Sequence, residues 1–285
     1  MAYSTEDAFN RYFTTINLPG DHRATANNRA SWVAQRLRNR GLTVLDAFPM
    51  GSIPRYTALE EYSDLDVMTV LHFSQHLKDR KPSNVLLTVR SALGDGAQGV
   101  RRNGQAVTMK FASWPNVDVV PASRLTDSNN KFTGHYRIPD MVNEEWIDTN
   151  PGKHSGEIGT AAGVRGEKYR RVIKMLKDWN RRQQASMQSY HLEVISLKLS
   201  CEWKDHSWPL YQWFQNASGY VDFCWYDNKD VASYLSFDQR TRIKTSLSEA
   251  TATSLSAWHA YYQNDHQTAI TTWKRVFGQR FPSYG

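Results

Sequence analysis

The sequence predicts a mixed-sheet α/β (α+β) lobe followed by an α-helical C-terminal lobe. Two observations predict this fold class. In the first half of the 285 residues, short apolar strands alternate with amphipathic helices, and after about residue 150 apolar residues recur at helical spacing. The length favours one large domain or two lobes. We expect the lobes to comprise residues 1–165 and 166–285.

Composition excludes several classes of protein. Hydrophobic residues make up 40% of the chain and charged residues 22%, as in a globular protein. No apolar run approaches the roughly 18 residues that span a bilayer, so we expect no membrane partner. The two cysteines, Cys201 and Cys224, are too few for a disulfide framework, which predicts a cytoplasmic protein. The net charge of +7 favours polyanionic ligands.

The helices of the first half are predicted from their caps. Ser4 and Asp7 form a capping-box pattern at the start of the first helix. A second helix is predicted over residues 24–40, and Gly41 ends it. Pro82 marks the first turn of a third helix. These helices are interleaved with the predicted strands.

Strands are predicted over residues 43–48, 65–71 and 117–120. Residues 100–111 are predicted as a hairpin, because Asn103-Gly104 is a strong hairpin signal. The second half is predicted to form helices over residues 169–180 and 190–201, and one or two more within residues 236–278.

Three aspartates are the candidate catalytic and metal-binding residues. Asp64 and Asp66 are separated by a single residue on a predicted strand, so their side chains project from the same face. Carboxylates that close repel each other unless a cation lies between them. Alone, such a pair is usually a solvated strand end. However, Asp118 places a third carboxylate inside an apolar strand, where an unpaired charge is costly. Oxygen ligands suit Mg²⁺, and a two-metal site is the machinery of nucleotidyl transfer.

These motifs, in this order, resemble the DNA polymerase β-like nucleotidyltransferase superfamily. More narrowly, they are similar to the bacterial CD-NTases, the relatives of 2′-5′ oligoadenylate synthases and cyclic GMP-AMP synthase. The segments that carry the resemblance are Gly51-Ser52, Asp64-Leu65-Asp66, Val117-Asp118-Val119-Val120-Pro121, Lys177-Asp178-Trp179, Ser189-Tyr190-His191-Leu192 and Trp273-Lys274-Arg275-Val276-Phe277-Gly278. The resemblance therefore covers most of the chain and implies a polymerase β-like catalytic lobe.

The resemblance implies a role for each residue of the catalytic lobe. Gly51 and Ser52 would hold the triphosphate through backbone amides and a hydroxyl. Asp64 and Asp66 would bind two Mg²⁺ ions, for which Mn²⁺ could substitute. Asp118 would hold one ion and help to deprotonate the attacking hydroxyl.

In the helical lobe, the resemblance implies that Lys177 and Ser189 contact the triphosphate of the donor nucleotide. Tyr234 is the candidate for stacking on a base. Alternatively, Lys177 is a cation on a solvated helix face and Ser189 is a plain helix cap, a role compatible with phosphate binding. One departure concerns Tyr56, which stands where the relatives usually have glycine.

The resemblance implies an enzyme that joins nucleoside triphosphates into a cyclic di- or trinucleotide second messenger. The setting would be anti-phage (CBASS) defence, where the product activates a separate effector protein. Nucleic acid would enter only as an activator. Two alternatives stay open. One is a linear oligonucleotide synthase or a terminal RNA nucleotidyltransferase, and the other is an inactive nucleotidyltransferase fold that binds nucleic acid.

Overall fold

The computed structural model describes residues 3–60, 64–101 and 104–285. Within them, strands and helices are mixed in the first half and helices dominate the second, which confirms the predicted fold class. The helices are α1 (Thr5–Ile16), α2 (Arg23–Arg38), α3 (Phe73–His76), α4 (Pro82–Leu93), α5 (Pro151–Arg165), α6 (Lys168–Arg181), α7 (Ser189–Lys198), α8 (Ser207–Ala217), α9 (Phe237–Tyr262) and α10 (His266–Phe277). The strands are β1 (Val44–Met50), β2 (Leu65–Leu71), β3 (Ala97–Val100), β4 (Val107–Met109), β5 (Val117–Thr126), β6 (Phe132–Asp140), β7 (Glu145–Thr149), β8 (Trp225–Tyr226) and β9 (Lys229–Asp230).

Local sequence signals are confirmed at several element ends. Both hydrogen bonds of the Ser4–Asp7 capping box are present at α1. Gly41 follows α2 with a φ of 85°, the left-handed conformation that ends many helices. β3 and β4 pair as the predicted hairpin, although Asn103 in its turn lies outside the described residues.

The sequence analysis did not predict the short elements α3, β8 and β9, nor the longer elements β6, β7, α5 and α8. β6 and β7 are largely exposed or only partly buried, so they lack the alternation of apolar and polar residues that predicts a strand. Four glycine residues, at positions 152, 156, 159 and 163, weaken the helical signal of α5. α8 has Pro209 within its first turn, a position that helices tolerate.

The chain divides into two compact units. One comprises Met1–Pro19, Leu59–Glu61 and Glu157–Gly285, and the other comprises Gly20–Ala58 and Tyr62–Gly156. We call them the helical unit and the sheet unit. α1 belongs to the helical unit, whereas the sequence analysis grouped it with the first lobe. The predicted lobe limits, 1–165 and 166–285, stay a prediction about which residues form the catalytic and cleft-completing parts.

The sheet unit is built on a mixed sheet in the order β1-β2-β5-β4-β3, with β6 paired to β5 and β7 to β6. β5 reaches beyond the predicted end at residue 120. Its first residues lie between β2, which runs parallel to it, and β4, which runs antiparallel. Its last residues pair with β6. The central position of β5 places the residues around Asp118 between two neighbouring strands.

The two faces of β2 and β5 have different surroundings. Odd-numbered residues such as Leu65, Val67 and Val119 are completely buried. Even-numbered residues continue from the acidic positions into a small apolar cluster that includes Met68 and Val120. The predicted burial of the apolar face is confirmed, whereas the other face is acidic only at the start of the two strands and apolar beyond it. α2 and α4 pack against the sheet and contribute to its core.

The helical unit has an aromatic core that α1 completes. The Phe9 ring lies 5.3 Å from Trp273 and 5.2 Å from Phe281, measured between ring centroids, and the Tyr12 ring lies 4.9 Å from Phe277. This packing explains why α1 groups with the C-terminal helices. Among the described residues, none of the helices is both long and apolar enough for a membrane span.

We expect Phe281→Ala to lower the free energy of unfolding by about 3–5 kcal/mol, because it removes a fully buried ring and leaves a cavity. Phe237→Ala is the matched control, since Phe237 is 82% exposed and its loss should change stability by less than about 0.5 kcal/mol. Urea unfolding followed by circular dichroism measures both. Equal effects of the two substitutions would contradict the packing of the C-terminal segment.

Candidate active site

The sheet brings the three predicted carboxylates to one face. In the parallel pairing of β2 with β5, Asp66 and Asp118 are direct partners. Asp64 precedes β2 by one residue, so its side chain is two positions from Asp66. Neighbouring strands lie about 4.8 Å apart, and residues two apart share a face. The register of one strand pair thus places the three carboxylates together.

These carboxylates lack full compensation of their negative charge. Burial, and then the charge of Asp118, raise the pKa of Asp66 to about 7, although Arg55 and Arg101 oppose the shift. Burial also raises the pKa of Asp118, against the hydrogen bond from Thr108 and the charge of Arg101. The Thr108 hydroxyl donates to Asp118 Oδ1 at 2.6 Å. The site is therefore poised to gain a proton or a cation.

Arg101 is a residue of the site that the sequence analysis missed. Its Nη1 atom lies 2.8 Å from Asp64 Oδ2 and 2.7 Å from Asp118 Oδ2, so one nitrogen contacts two of the three carboxylates. Arg101 directly follows β3, at the start of the predicted hairpin turn. Only the fold of this hairpin brings it to the acids, and no local pattern distinguishes it from the adjacent Arg102.

The donor set fits a hard divalent cation. All three side chains offer only oxygen, and the pKa values of Asp66 and Asp118 are raised, first by burial and then by the charges of neighbouring carboxylates. These are the ligands that Mg²⁺ prefers. In the arrangement seen, however, no group of three His, Cys, Asp or Glu side chains among the described residues stands ready to hold a metal ion. Arg101 Nη1 lies against the carboxylates that would do so.

The Gly51–Ser52 turn packs directly on the acids. Gly51 has a φ of 79°, and a Cβ atom added to it would lie 2.0 Å from Asp66 Oδ2. Any larger residue would displace this carboxylate, so glycine is required here for both conformation and space. The turn is closed by a hydrogen bond from the Thr57 amide to the Ser52 carbonyl. The prediction that Gly51 and Ser52 bind triphosphate stays a prediction.

Tyr56 adopts a left-handed conformation in the same turn, with a φ of 58°. This is the position for which the resemblance implies glycine. Glycine would suit it, because glycine reaches positive φ without steric strain. In this chain the Arg23 guanidinium lies 5.4 Å from the centroid of the Tyr56 ring. The departure from the family pattern preserves the turn and introduces strain into it.

The remaining predicted residues belong to the helical unit. Lys177 on α6 is buried and forms an ion pair with the buried Glu193 of α7, at 2.6 Å. Lys177 therefore does not lie on a solvated helix face. One helical turn earlier, burial and the charges of Lys177 and Arg170 lower the pKa of Lys174 to about 8. The sequence analysis did not identify Glu193 as a partner, because the pair joins two helices.

Ser189 and Tyr234 meet at the start of α7. Ser189 is the first residue of this helix, and Gln188 is its N-cap. The Tyr234 hydroxyl accepts a hydrogen bond from the Gln188 amide at 2.8 Å and lies 3.2 Å from His191 Nδ1. Burial raises the pKa of Tyr234 to about 12. Its hydroxyl thus supports the helix start, while stacking on a base stays a prediction.

We expect Asp66→Asn to stabilise the metal-free protein at pH 8 by about 1–3 kcal/mol. The pKa of Asp66 is near 7 when folded and near 4 when unfolded, so the wild-type protein loses stability as pH rises from about 4 to 7. The advantage of asparagine should consequently shrink towards pH 4.

Urea unfolding in a chelator at several pH values measures this difference. Asp79→Asn, in an exposed turn of the same unit, is the control and should show no such growth with pH. A pH-independent effect of Asp66→Asn would be the contrary result.

We also expect Tyr56→Gly to be more stable than Tyr56→Ala by about 1 kcal/mol, because only glycine relieves the positive φ. Both variants lack the ring, so their difference isolates the backbone strain. Thermal or urea unfolding of the two proteins measures it. Greater stability of the alanine variant would rule out strain at this position.

The chain is similar to known proteins both in sequence and in fold. Residues 3–161 match the model of the Second Messenger Oligonucleotide or Dinucleotide Synthetase (SMODS) domain. The chain is 23% identical to a probable cyclic nucleotide synthase of Bacillus cereus (strain VD146), covering 100% of this chain and 99% of that protein. It is 25% identical to a cyclic AMP-AMP-AMP synthase of Acinetobacter sp. (strain ATCC 27244 / 9458), over 82% of this chain and 72% of that protein.

The fold is similar to that of the E. coli MS115-1 protein CdnC, whose structure was solved with ATP. The TM-score is 0.77 at 18% sequence identity, and the match covers 98% of this chain and 99% of CdnC.

Proposed function

The chain belongs to the family of second messenger oligonucleotide or dinucleotide synthetases, which are nucleotidyltransferases, and we propose that it joins nucleoside triphosphates into a cyclic di- or trinucleotide. Membership confirms the resemblance to bacterial CD-NTases. The observation that carries the proposal is the register of β2 and β5, which pairs Asp66 with Asp118 beside Asp64. Carboxylates arranged in this way are suited to metal-dependent nucleotidyl transfer.

We assign the reaction to these three side chains. Asp64 and Asp66 would hold two Mg²⁺ ions and Asp118 one of them, with Mn²⁺ as a possible substitute. When bound, the ions activate the attacking hydroxyl and neutralise charge on the reacting phosphate. Asp118 would also help to deprotonate that hydroxyl. The hydroxyl oxygen bonds to the α-phosphorus of the donor, the bond to the bridging oxygen breaks, and pyrophosphate leaves.

The other predicted residues would bind the triphosphates. Gly51 keeps the backbone of its turn close to Asp66, where amide groups and the Ser52 hydroxyl would meet the phosphates. Ser189 begins α7, and the free amides of a helix start favour phosphate. Lys177 would contribute charge, with its side chain positioned by Glu193. Tyr234, anchored through its hydroxyl, would present its ring to a base.

Cyclisation would require the site to act more than once. After the first transfer, the linear intermediate would rebind with its 5′-terminal nucleotide as donor and its terminal hydroxyl as acceptor. The cyclic AMP-AMP-AMP synthase among the relatives is named for a cyclic trinucleotide, which supports a cyclic product here. The messenger would act on a separate effector protein in the cytoplasm during anti-phage (CBASS) defence, with nucleic acid at most an activator.

The test is incubation of the purified protein with radiolabelled ATP, GTP, CTP and UTP and with Mg²⁺ or Mn²⁺. A cyclic product has no terminal phosphate and resists phosphatase, whereas a linear product loses its 5′-terminal phosphates to the phosphatase and changes its chromatographic mobility. Phosphatase-sensitive products would support the linear synthase or the terminal RNA nucleotidyltransferase. Absence of turnover, also with added nucleic acid, would favour the inactive nucleic-acid-binding fold.

We expect Asp66→Asn and Asp118→Asn to lower the rate of product formation by a factor on the order of 10³ or more, because each loses a metal ligand and Asp118 also a proton acceptor. Asp148→Asn is the matched control. This partly exposed aspartate of β7 is paired with Arg137, and its loss should leave the rate within about threefold of wild type. Undiminished synthesis by Asp66→Asn would refute the assignment.

A further inference from the structure

Arg101 supplies a positive charge to the carboxylate cluster. Its guanidinium bridges Asp64, whose side chain is 44% exposed, and Asp118, whose side chain is 6% exposed. A nearly buried carboxylate needs a close cation, because water screens its charge poorly. Without Arg101, the charges of Asp118 and its neighbours would be left with much less compensation.

The backbone that carries Arg101 is held in place. The Arg101 amide donates to the Ala106 carbonyl at 2.9 Å, and the Gly104 amide donates to the Arg101 carbonyl at 2.8 Å. Gly104 in turn accepts a hydrogen bond from the Met141 amide, and a Cβ atom at Gly104 would lie 2.7 Å from the Val142 nitrogen. Backbone hydrogen bonds therefore fix the position of Arg101, whereas an arginine on an unstructured surface would have no such support.

Other ion pairs of the sheet unit differ from this one. Arg124–Asp46 and Arg137–Asp148 are each single pairs. The two side chains are each 43% exposed in the first pair, and Arg137 and Asp148 are 40% and 41% exposed in the second. Arg101 instead contacts two carboxylates, one of them nearly buried. The contact also involves the residues to which we assign metal binding, so it has a functional consequence.

We propose that Arg101 is a resident counter-cation that competes with the catalytic metal for Asp64 and Asp118. The inference rests on the proposed function of these residues. An ion held by Asp64 Oδ2 and Asp118 Oδ2 would need the space that Arg101 Nη1 fills. Metal binding therefore requires the guanidinium to leave, and the strength of its two charge-assisted hydrogen bonds lowers the affinity for the ion.

The direct test is Mn²⁺ binding to the protein without nucleotide, measured as loss of the electron paramagnetic resonance signal of free Mn²⁺. We expect Arg101→Gln to bind Mn²⁺ about tenfold more tightly than wild type, as the loss of competing charge-assisted hydrogen bonds implies. Arg101→Lys keeps the charge but loses the forked geometry, so its affinity should lie in between. Arg137→Gln is the matched control and should bind like wild type.

Thermal unfolding provides a second measurement. In a chelator, Arg101→Gln should unfold a few degrees below wild type, because its carboxylates lose their cation. Saturating Mn²⁺ should erase this deficit. An arginine with a purely structural role would leave the same deficit with and without metal. If Arg101→Gln does not fold, Arg101→Lys carries both measurements.

The possible outcomes distinguish a failure of this proposal from a failure of the proposed function. Equal or weaker Mn²⁺ binding by Arg101→Gln overturns the role of Arg101, while a loss of binding in Asp66→Asn would still support the metal site. If neither wild type nor Arg101→Gln binds Mn²⁺, the proposal is also overturned, and nucleotide turnover decides the function separately. If Arg101→Gln binds more tightly but Asp66→Asn binds like wild type, the competing site lies elsewhere and the proposal fails.

Discussion

Two like charges on hydrogen-bonded parallel strands impose the constraint on which the rest of the structure depends. Asp66 and Asp118 are register partners, and Asp64 lies on the same face. Such a site repels itself, so it cannot contribute to holding β2 and β5 together without a cation. The opposite face contributes this stability, because residues such as Leu65 and Val67 are completely buried there, and so does the apolar continuation of the acidic face at Met68 and Val120. Only the end of the sheet face that carries the three carboxylates is left free for chemistry.

The same division between stability and chemistry recurs in smaller features. The turn beside Asp66 requires a glycine at position 51 and holds Tyr56 in a strained conformation. In the helical unit, Lys177 and Glu193 form a buried ion pair, although a well-packed apolar pair is often at least as stable. Sites that depart from the most stable local choice are frequently functional. Two of these departures, at Gly51 and Lys177, involve residues to which we assign nucleotide binding.

Much of the fold could be predicted because its signals are local. The capping box of α1, the apolar flanks of Asp118 and the two-residue spacing of Asp64 and Asp66 lie within short segments. Arg101 could not be predicted, since it meets Asp118 only after β3 and β4 have paired. The Lys177–Glu193 contact likewise depends on how α6 packs on α7. Sequence periodicity specifies which face a residue occupies, but the partner across that face depends on tertiary register.

The position of Arg101 has a consequence for the order of events in the life of the protein. In many small metalloproteins the ligands cannot be brought together without the ion, so folding and metal uptake are one process. Here the chain brings a cation of its own to Asp64 and Asp118. If this site binds magnesium as we propose, the polypeptide can complete its fold whatever the supply of the metal during synthesis, and acquisition of the metal would be a separate, later and reversible event.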